Sequence, residues 1–428
     1  MGVAAARRSD EVRDQRVLKL TTPRRFSAGA AVFIALIAGC SADGHDGEAL
    51  PFEAAGPEAA PDPGVAGPFP VGVVTLDLVY TRGDSDQSRF LRTEVWYPAV
   101  QAARGGTVAT YDLHDEADEH VSLGDHRESF MAADLGTFVS PAIRGAEPDR
   151  ERGPYPLVLF SPGAFGLRFQ YVFFTAHLAS HGFVVAVADH PGTSLWAGIR
   201  TGFDETALIA AAFDRTADVR HLLDVLSTAG STSSGVLDGL IDSGRVGAAG
   251  HSLGGAIAVA LPNLDTRFSA AVLFAPIIAI GRSFGFEWGD YPVPLMVLGG
   301  TEDQTIPWKQ QYCDFRAVDV APKWLVEISG IGHFTFSDAC GFDWTSLDAV
   351  TPGQTPDIVS DGCSEAMTPS WNTAHQLIRR HATAFLNHHL RAAPSALAQI
   401  GATGPPASDA VRVLLDDAVP DWPDGGCP

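Results

Sequence analysis

Positively charged residues are scarce in this sequence of 428 residues. Lysine and arginine together number 29, against 51 aspartate and glutamate residues, and the formal net charge is -22. Nucleic acids and anionic lipid surfaces attract positive charge, so this balance argues against both as electrostatic partners. We therefore expect no nucleic-acid partner.

The sequence also has little continuous apolar character, because the apolar run at residues 28–39 is shorter than the roughly 20 residues that a membrane-spanning helix needs. This run follows Arg24 and Arg25 and ends in small residues before Cys40. A basic start, an apolar stretch and small residues before a cysteine resemble the bacterial lipobox. We expect a lipoprotein-type signal peptide at residues 1–40, with membrane attachment through lipidated Cys40. A plain secretory signal or a short anchor is the alternative, and in either case the chain is exported, as a bacterial cell-envelope lipoprotein or a secreted protein.

Cysteine is rare, with five residues in the whole chain. With Cys40 set aside, an even number remains, which is typical of disulfide pairing in an exported protein. Three connectivities are possible for these four residues. We favour Cys340 with Cys363, which would restrain a long acidic insertion, and Cys313 with Cys427, which would fasten the C-terminal tail. Buried free thiols are the alternative.

What the sequence does contain is a Gly-x-Ser-x-Gly motif at Gly250–Gly254. The motif follows the strand-like run Arg245–Ala249 and leads into the small-residue helical pattern Gly254–Ala260. In a nucleophile elbow the serine occupies a strained turn between a strand and a helix, and glycines flank it because neighbouring segments leave no room for a Cβ atom. The motif predicts Ser252 as a nucleophile.

A serine hydroxyl needs a base to accept its proton and an acid to orient that base. In elbow-containing folds the acid and the histidine follow in that order, each just past the end of a strand. Asp303 begins the loop after the buried strand pattern Val293–Gly300, and His333 follows the strand pattern Lys323–Ile328 and two glycines. We predict Asp303 as the acid and His333 as the base. The alternative is that Glu302 or Asp303 merely caps a helix.

Acyl transfer also needs N–H donors for the oxyanion of the tetrahedral intermediate. One donor should be Leu253, directly after the nucleophile, and the other should lie in the loop after an early strand. The apolar run Pro156–Phe160 predicts that strand, and Ser161–Gly166 is the glycine-rich loop that follows it. Ala164 is the expected second donor.

Together these motifs resemble the α/β-hydrolase superfamily, and within it the platelet-activating-factor acetylhydrolases and the cutinase-like polyester hydrolases. The segments that carry the resemblance are Leu159–Gly163, Leu178–Val185, Gly250–Gly255, Gly300–Asp303 and Gly332–Phe334. The resemblance implies hydrolysis of carboxylic esters through a Ser-His-Asp triad, without a metal or an organic cofactor. The alternation of strand and helix patterns predicts an α/β fold: a mostly parallel central sheet with antiparallel N-terminal strands and helices on both faces.

We expect four segments along the chain. After the signal peptide, residues 41–69 form a disordered acidic tether rich in Pro, Gly and Ala, residues 70–395 the α/β-hydrolase domain, and residues 396–428 a C-terminal tail. The domain contains an acidic insertion at residues 336–372. A solvated loop is expected there rather than a calcium site, since its acids lack EF-hand spacing. The histidines of the last helical pattern, Thr373–Leu390, are expected to be solvated or to cap the helix.

Residues that follow the predicted strands are candidates for lining the substrate site. They are Phe165, His190, Trp196, Phe286 and Trp288. Aromatic loop residues at the carboxyl ends of strands can line an apolar acyl or alkyl site, and they can equally belong to the core of the loops.

The sequence therefore predicts a serine esterase or lipase that acts on small-molecule or lipid esters, with short-acyl esters and phospholipids as candidate substrates. A polyester hydrolase or a peptidase on the same fold is an alternative. A surface lipoprotein that binds without turnover is another.

Overall fold

The computed structural model describes residues 61–82, 88–117, 122–228, 235–320, 322–353, 359–364, 367–401, 410–415, 420, 422 and 426–427. The predicted signal peptide with Cys40, and residues 41–60 of the predicted tether, lie outside the described residues. Within these ranges no helix combines the length and the apolar character needed to cross a bilayer.

Within the part of the chain that the structure describes, an 11-stranded sheet forms the centre. In chain order its strands are β1 (Val71–Thr81), β2 (Ser88–Pro98), β3 (Val108–Asp112), β4 (Thr137–Arg144), β5 (Tyr155–Ser161), β6 (Val184–Ala188), β7 (Ile241–His251), β8 (Phe268–Phe274), β9 (Leu295–Gly300), β10 (Lys323–Ile328) and β11 (Val411–Leu415). Their spatial order is β11-β10-β9-β8-β7-β5-β6-β2-β1-β4-β3. The strands from β10 to β6 are parallel, whereas β1 and β2 pair antiparallel beside β6. The predicted sheet is confirmed.

Helices connect these strands and cover both faces of the sheet. They are α1 (Leu113–Glu116), α2 (Arg127–Ala132), α3 (Val172–Ser180), α4 (Leu195–Thr201), α5 (Glu205–Ala212), α6 (Arg215–Ser227), α7 (Leu253–Leu264), α8 (Trp308–Ala317), α9 (Trp344–Asp348), α10 (Trp371–Arg391) and α11 (Pro394–Ile400). Side chains alternate along a strand, so each central strand contributes to two cores. In β5, Val158 and Phe160 belong to the core that includes α3 and α10, while Leu157 and Leu159 belong to the core that includes α6 and α7.

The described end of the predicted tether is packed against the domain. Phe69 is 3% exposed, and its N–H donates to the carbonyl of Ser180 at 3.1 Å. Asp62 forms an ion pair with Arg380 at 3.2 Å. The prediction of a disordered tether is therefore wrong for residues 62–69, because the apolar ring of Phe69 and these polar contacts anchor the segment.

The predicted C-terminal tail also contributes to the domain. Strand β11 pairs antiparallel with β10, with Val411 opposite Ile328, and α11 packs against α10. The domain therefore extends past the predicted boundary at residue 395. A five-residue edge strand carries too little periodicity to be recognised from the sequence.

The four cysteines of the domain form two disulfides. Cys313 pairs with Cys427, and Cys340 pairs with Cys363, which is the connectivity favoured from the sequence. The first bond joins α8 to the end of the chain. The second links residues 23 apart within the acidic insertion, and both restrain segments that have little regular structure of their own.

Three buried histidines are held in their neutral form. Burial lowers the pKa of His375 to about 3 and the pKa values of His181 and His381 to about 4. The ring of His381 contacts the carbonyl of Ile400 at 2.8 Å, and that of His375 contacts the carbonyl of Thr335 at 3.0 Å. The prediction of solvated or capping histidines in the last helix is wrong for these two, because α10 turns them into the core.

We expect the free energy of unfolding to fall as the pH drops from about 6.5 towards 4. In the unfolded chain these rings titrate near pH 6.5, so below that pH the unfolded state binds more protons than the native state. Between these pH values the free energy of unfolding changes by at most about 1.4 kcal/mol per pH unit for each such histidine. The stabilisation that the neutral, buried rings contribute is fully present above about pH 6.5. Urea unfolding at a series of pH values measures it.

The variant His381→Gln tests this assignment, because a glutamine amide can still donate to the carbonyl of Ile400. The slope of the free energy of unfolding against pH should decrease in this variant by the equivalent of roughly one bound proton. A slope identical to that of the native protein would contradict the assignment for His381.

Candidate active site

Ser252 lies in the tight turn between β7 and α7. Its backbone angles are φ 56° and ψ -120°, which are strained for a residue with a side chain. Its N–H donates to the carbonyl of Phe274 at 2.9 Å, which ties the turn to β8. A Cβ atom at Gly250 would lie 2.2 Å from the carbonyl oxygen of Gly254, and one at Gly254 would lie 1.9 Å from that of Ser161. The close approach of three chain segments thus explains both glycines of the motif.

The structure brings Asp303 and His333 together from the loops after β9 and β10. The Nδ1–H group of His333 donates to Oδ2 of Asp303 at 2.9 Å. The same carboxylate accepts from the N–H of Ile306 at 2.6 Å and from the amide of Gln311 at 2.9 Å. Both partners are buried, with Asp303 5% and His333 2% exposed, so solvent weakens their attraction little. The carboxylate selects the tautomer with Nδ1 protonated and leaves Nε2 as a proton acceptor.

His251 links the serine turn to the loop of His333. Its Nε2–H group donates to the carbonyl of His333 at 3.2 Å, and the two ring centroids are 4.6 Å apart. Burial lowers the pKa of His251 well below its usual range, so the ring is neutral and its Nδ1 accepts from the hydroxyl of Tyr171 at 3.1 Å. The Tyr171 oxygen in turn accepts from the N–H of Gly163 at 2.8 Å. A chain of hydrogen bonds therefore connects three loops around Ser252.

The loop after β5 lies directly against the serine turn. A Cβ atom at Gly163 would be 3.5 Å from the Cβ of Ser252. The N–H groups of Gly163 and Phe165 are engaged in hydrogen bonds within the protein, whereas Ala164 between them is exposed. Leu253 opens α7, where the first N–H groups have no acceptor within the helix. Both predicted oxyanion donors thus lie on segments that border Ser252.

Comparison with known proteins finds relatives over the parts of the chain that contain these residues. Residues 58–206 match the family model of platelet-activating factor acetylhydrolase, isoform II, and residues 148–342 match the PET hydrolase-like model. The chain is 26% identical over 189 residues to cutinase est1 of Thermobifida alba, covering 44% of this chain and 53% of that protein. It is 26% identical over 313 residues to the platelet-activating factor acetylhydrolase of Cavia porcellus, covering 64% and 67%.

A solved structure resembles the whole domain. The ferulic acid esterase from Streptomyces cinnamoneus superposes with a TM-score of 0.57 and 26% identity, over 85% of this chain and 98% of that one. This chain has an α/β-hydrolase fold and resembles the platelet-activating factor acetylhydrolases and the cutinases. The chain spans 53% and 62% of the lengths of two Thermobifida alba cutinases that it matches. These relatives are named for the hydrolysis of esters.

A buried arginine that sequence reasoning missed holds the Gly163 loop. Arg215 is 1% exposed and donates to the carbonyls of Pro162 at 2.5 Å and Gly163 at 3.1 Å, and to the hydroxyl of Thr193 at 2.7 Å. Burial lowers its pKa to about 10, which leaves it charged at neutral pH. It is the first residue of α6, whose sequence pattern marks only the apolar face, so no signal pointed to this contact.

The acidic insertion supplies a second residue that was missed. Asp361 is 3% exposed, and its Oδ1 accepts from the N–H groups of His333 at 2.9 Å and Gln304 at 3.1 Å. Its Oδ2 accepts from the N–H and the hydroxyl of Thr305, at 2.8 Å and 2.7 Å. The prediction of a solvated loop is wrong at this position, because four protein donors take the place of water around the carboxylate.

Two aromatic residues predicted to line the substrate site lie in the core or pack against it. Phe286 is 2% exposed and packs edge-on against Trp288 and Tyr291, with ring centroids 5.0 Å and 5.7 Å away. All three belong to or pack on the core that includes α7. This placement favours the loop-core alternative for both residues.

The other three candidates follow strands β5 and β6 in the chain. His190 is 2% exposed, and its Nδ1 lies 2.9 Å from a carboxylate oxygen of Asp218 in a buried ionic cluster. Trp196 lines a cavity of about 270 Å³ beside the end of β6. Phe165 is partly buried and packs edge-on against Phe203 at 5.1 Å.

Proposed function

We propose that the protein is a serine esterase that hydrolyses carboxylic esters through an acyl-enzyme. The Oγ of Ser252 attacks the ester carbonyl carbon while Nε2 of His333 takes the hydroxyl proton. The N–H groups of Leu253 and Ala164 bind the oxyanion. Collapse breaks the bond to the alcohol, which leaves with the proton from His333. A water molecule then attacks the acyl group by the same route and releases the acid.

The observation that carries this proposal is the 2.9 Å hydrogen bond between His333 and Asp303, at the sheet edge that also holds the strained turn of Ser252. Proton transfer to His333 creates an imidazolium, which a buried carboxylate stabilises more than water does. The same contact keeps Nε2 unprotonated before the attack. The ester-hydrolase names of the relatives support the same chemistry.

Short-acyl esters or phospholipids are the substrate class that we favour. The match to the Cavia porcellus platelet-activating factor acetylhydrolase covers 64% of the chain, compared with 44% for cutinase est1. Polyesters are the second candidate, because the PET hydrolase-like match at residues 148–342 includes all three proposed triad residues. A peptidase on this fold and a lipoprotein that binds without turnover are the remaining alternatives.

A labelling experiment combined with a substrate series tests the proposal. A fluorophosphonate probe should modify the peptide that contains Ser252, because phosphonylation requires an activated serine. Hydrolysis of p-nitrophenyl esters should fall as the acyl chain is lengthened from acetyl to palmitoyl. Equal or greater activity on long chains and on polyester film would favour the cutinase-like alternative. A folded protein that neither takes the probe nor turns over any ester would contradict the proposal.

We further infer that the protein is exported and attached to a membrane through lipidated Cys40. Two disulfides support export, since such bonds persist in oxidising compartments. The net charge of -22 offers no electrostatic attraction to anionic lipid, so attachment would depend on the lipid itself.

A further inference from the structure

We propose that Asp361 is a positioning residue for this reaction, and that the Cys340–Cys363 disulfide holds it in place. In this role Asp361 fixes the loop of His333 against the loop of Asp303. The inference rests on the proposed function, because its main readout is ester hydrolysis.

The two loops that Asp361 joins leave neighbouring parallel strands, β9 and β10. Beyond the ends of the strands the sheet no longer fixes their separation, yet a triad tolerates a misplacement of only about 0.5 Å. Asp361 accepts from Gln304 and Thr305, which directly follow Asp303, and from the backbone of His333 itself. One carboxylate therefore spans the gap with charge-assisted hydrogen bonds on both sides.

Tight packing leaves Asp361 little freedom. A Cβ atom at Gly332 would lie 2.6 Å from the carbonyl carbon of Asp361, and one at Gly362 would lie 2.5 Å from the hydroxyl of Thr335. That hydroxyl donates to the carbonyl of Gly362 at 2.9 Å. The backbone of the inserted segment around Asp361 is therefore packed directly against the backbone of the loop that contains His333.

The disulfide closes the insertion at this point. Cys363 follows Asp361 by two residues, and its partner Cys340 lies on the turn Asp338–Gly341, directly after the loop of His333. The bond therefore returns the chain to the histidine loop and limits how far Asp361 can move from its donors. Reduction would free the insertion without changing any proposed triad residue.

Loss of the Asp361 carboxylate should lower kcat more than it raises KM. The residue touches neighbouring loops rather than Ser252 or the predicted oxyanion donors, so we expect on the order of a 10- to 100-fold loss in kcat for Asp361→Asn. The acidic limb of the pH profile of kcat/KM should move to lower pH. A protonated imidazole at position 333 is stabilised less when the Asp303 carboxylate lies farther away.

Asp343→Asn is the matched control. Asp343 lies in the same insertion and is exposed, and its carboxylate accepts from the N–H groups of Thr345 and Ser346 at the start of α9. Asparagine also caps helices, so this variant should keep the native kcat and pH profile. Rates are expressed per active site titrated with the fluorophosphonate probe. A merely structural role for Asp361 would reduce the number of titrated sites without moving the acidic limb.

Two further variants keep the test decisive if Asp361→Asn does not fold. Thr305→Val removes one of the four donors and should cost a roughly threefold loss in kcat with the same direction of pH shift. Replacing both Cys340 and Cys363 by serine should lower kcat and should be less than additive with Asp361→Asn. The corresponding change at Cys313 and Cys427 opens the disulfide between α8 and the C-terminal segment and leaves the donors to Asp361 in place, so it should lower stability but change kcat per titrated site less than the Cys340 and Cys363 change does.

Outcomes for this inference and for the proposed function can be separated. If native protein hydrolyses esters and Ser252→Ala does not, the proposed function stands. The inference is then overturned if Asp361→Asn keeps a kcat per titrated site within twofold of native and an unshifted acidic limb. If Asp361→Asn does not fold, the same criterion applies to Thr305→Val and to the Cys340 and Cys363 double variant. If native protein hydrolyses no ester, the proposed function itself fails.

Discussion

Replacing Ser252 with alanine is expected to lower kcat/KM for p-nitrophenyl esters by about 10⁴- to 10⁶-fold. The substitution removes the proposed nucleophile, while the turn, the predicted oxyanion donors and the pair of Asp303 and His333 remain. Residual turnover would come from binding and the oxyanion donors alone. Steady-state kinetics at a raised concentration of the variant, with substrate still in excess, together with loss of fluorophosphonate labelling, measures the effect.

A surface serine provides the control for this variant. Ser129 lies exposed on α2, and Ser129→Ala should keep native kinetics and labelling. Circular dichroism and the melting temperature of Ser252→Ala should match those of the native protein. Turnover by Ser252→Ala at a tenth or more of the native rate would remove the serine mechanism.

Replacing Asp303 with asparagine is expected to lower kcat by about 10⁴-fold, with little change in KM. An asparagine amide would donate to Nδ1 of His333 and stabilise the opposite tautomer, in which Nε2 carries the proton. The histidine could then no longer accept the proton of Ser252. The imidazolium formed during attack would also lose its counter-charge, which matters because both residues are buried.

Glu302→Gln is the matched control, because the sequence left Glu302 open as an alternative acid. The structure exposes Glu302 and buries Asp303, and it is Asp303 that meets the histidine ring. The Glu302 variant should therefore keep most of the native kcat. If Glu302→Gln lost more activity than Asp303→Asn, the assignment of the acid would have to be reversed.

The fold was largely predictable because it depends on local patterns repeated along the chain. Buried parallel strands such as β5 and β9 are continuous apolar runs, and α6 shows its apolar face at Val219, Leu222 and Leu223. The segments that were predicted wrongly lack such patterns. Residues 62–69 and β11 are held by a few contacts to distant parts of the chain.

The capping alternative for Asp303 is not what the structure shows. Its Oδ1 accepts from the N–H of Ile306 within the turn before α8, and α8 begins after Pro307 without a side-chain cap. Its Oδ2 meets His333, which is 30 positions away in the chain. The sequence pattern leaves the two interpretations open because it does not record which distant donor meets the carboxylate.

The sequence by itself determined the alternation of strands and helices and pointed to three candidate side chains for the carboxyl edge of the sheet, because elbows, strand ends and glycine pairs are local signals. Only the tertiary structure decided what surrounds them. Asp361, Arg215 and the His251–Tyr171 contact act across loops that are distant in sequence, and no periodicity records which donor meets which acceptor there. Such contacts are chosen by the burial of polar groups, which must find partners once water is excluded.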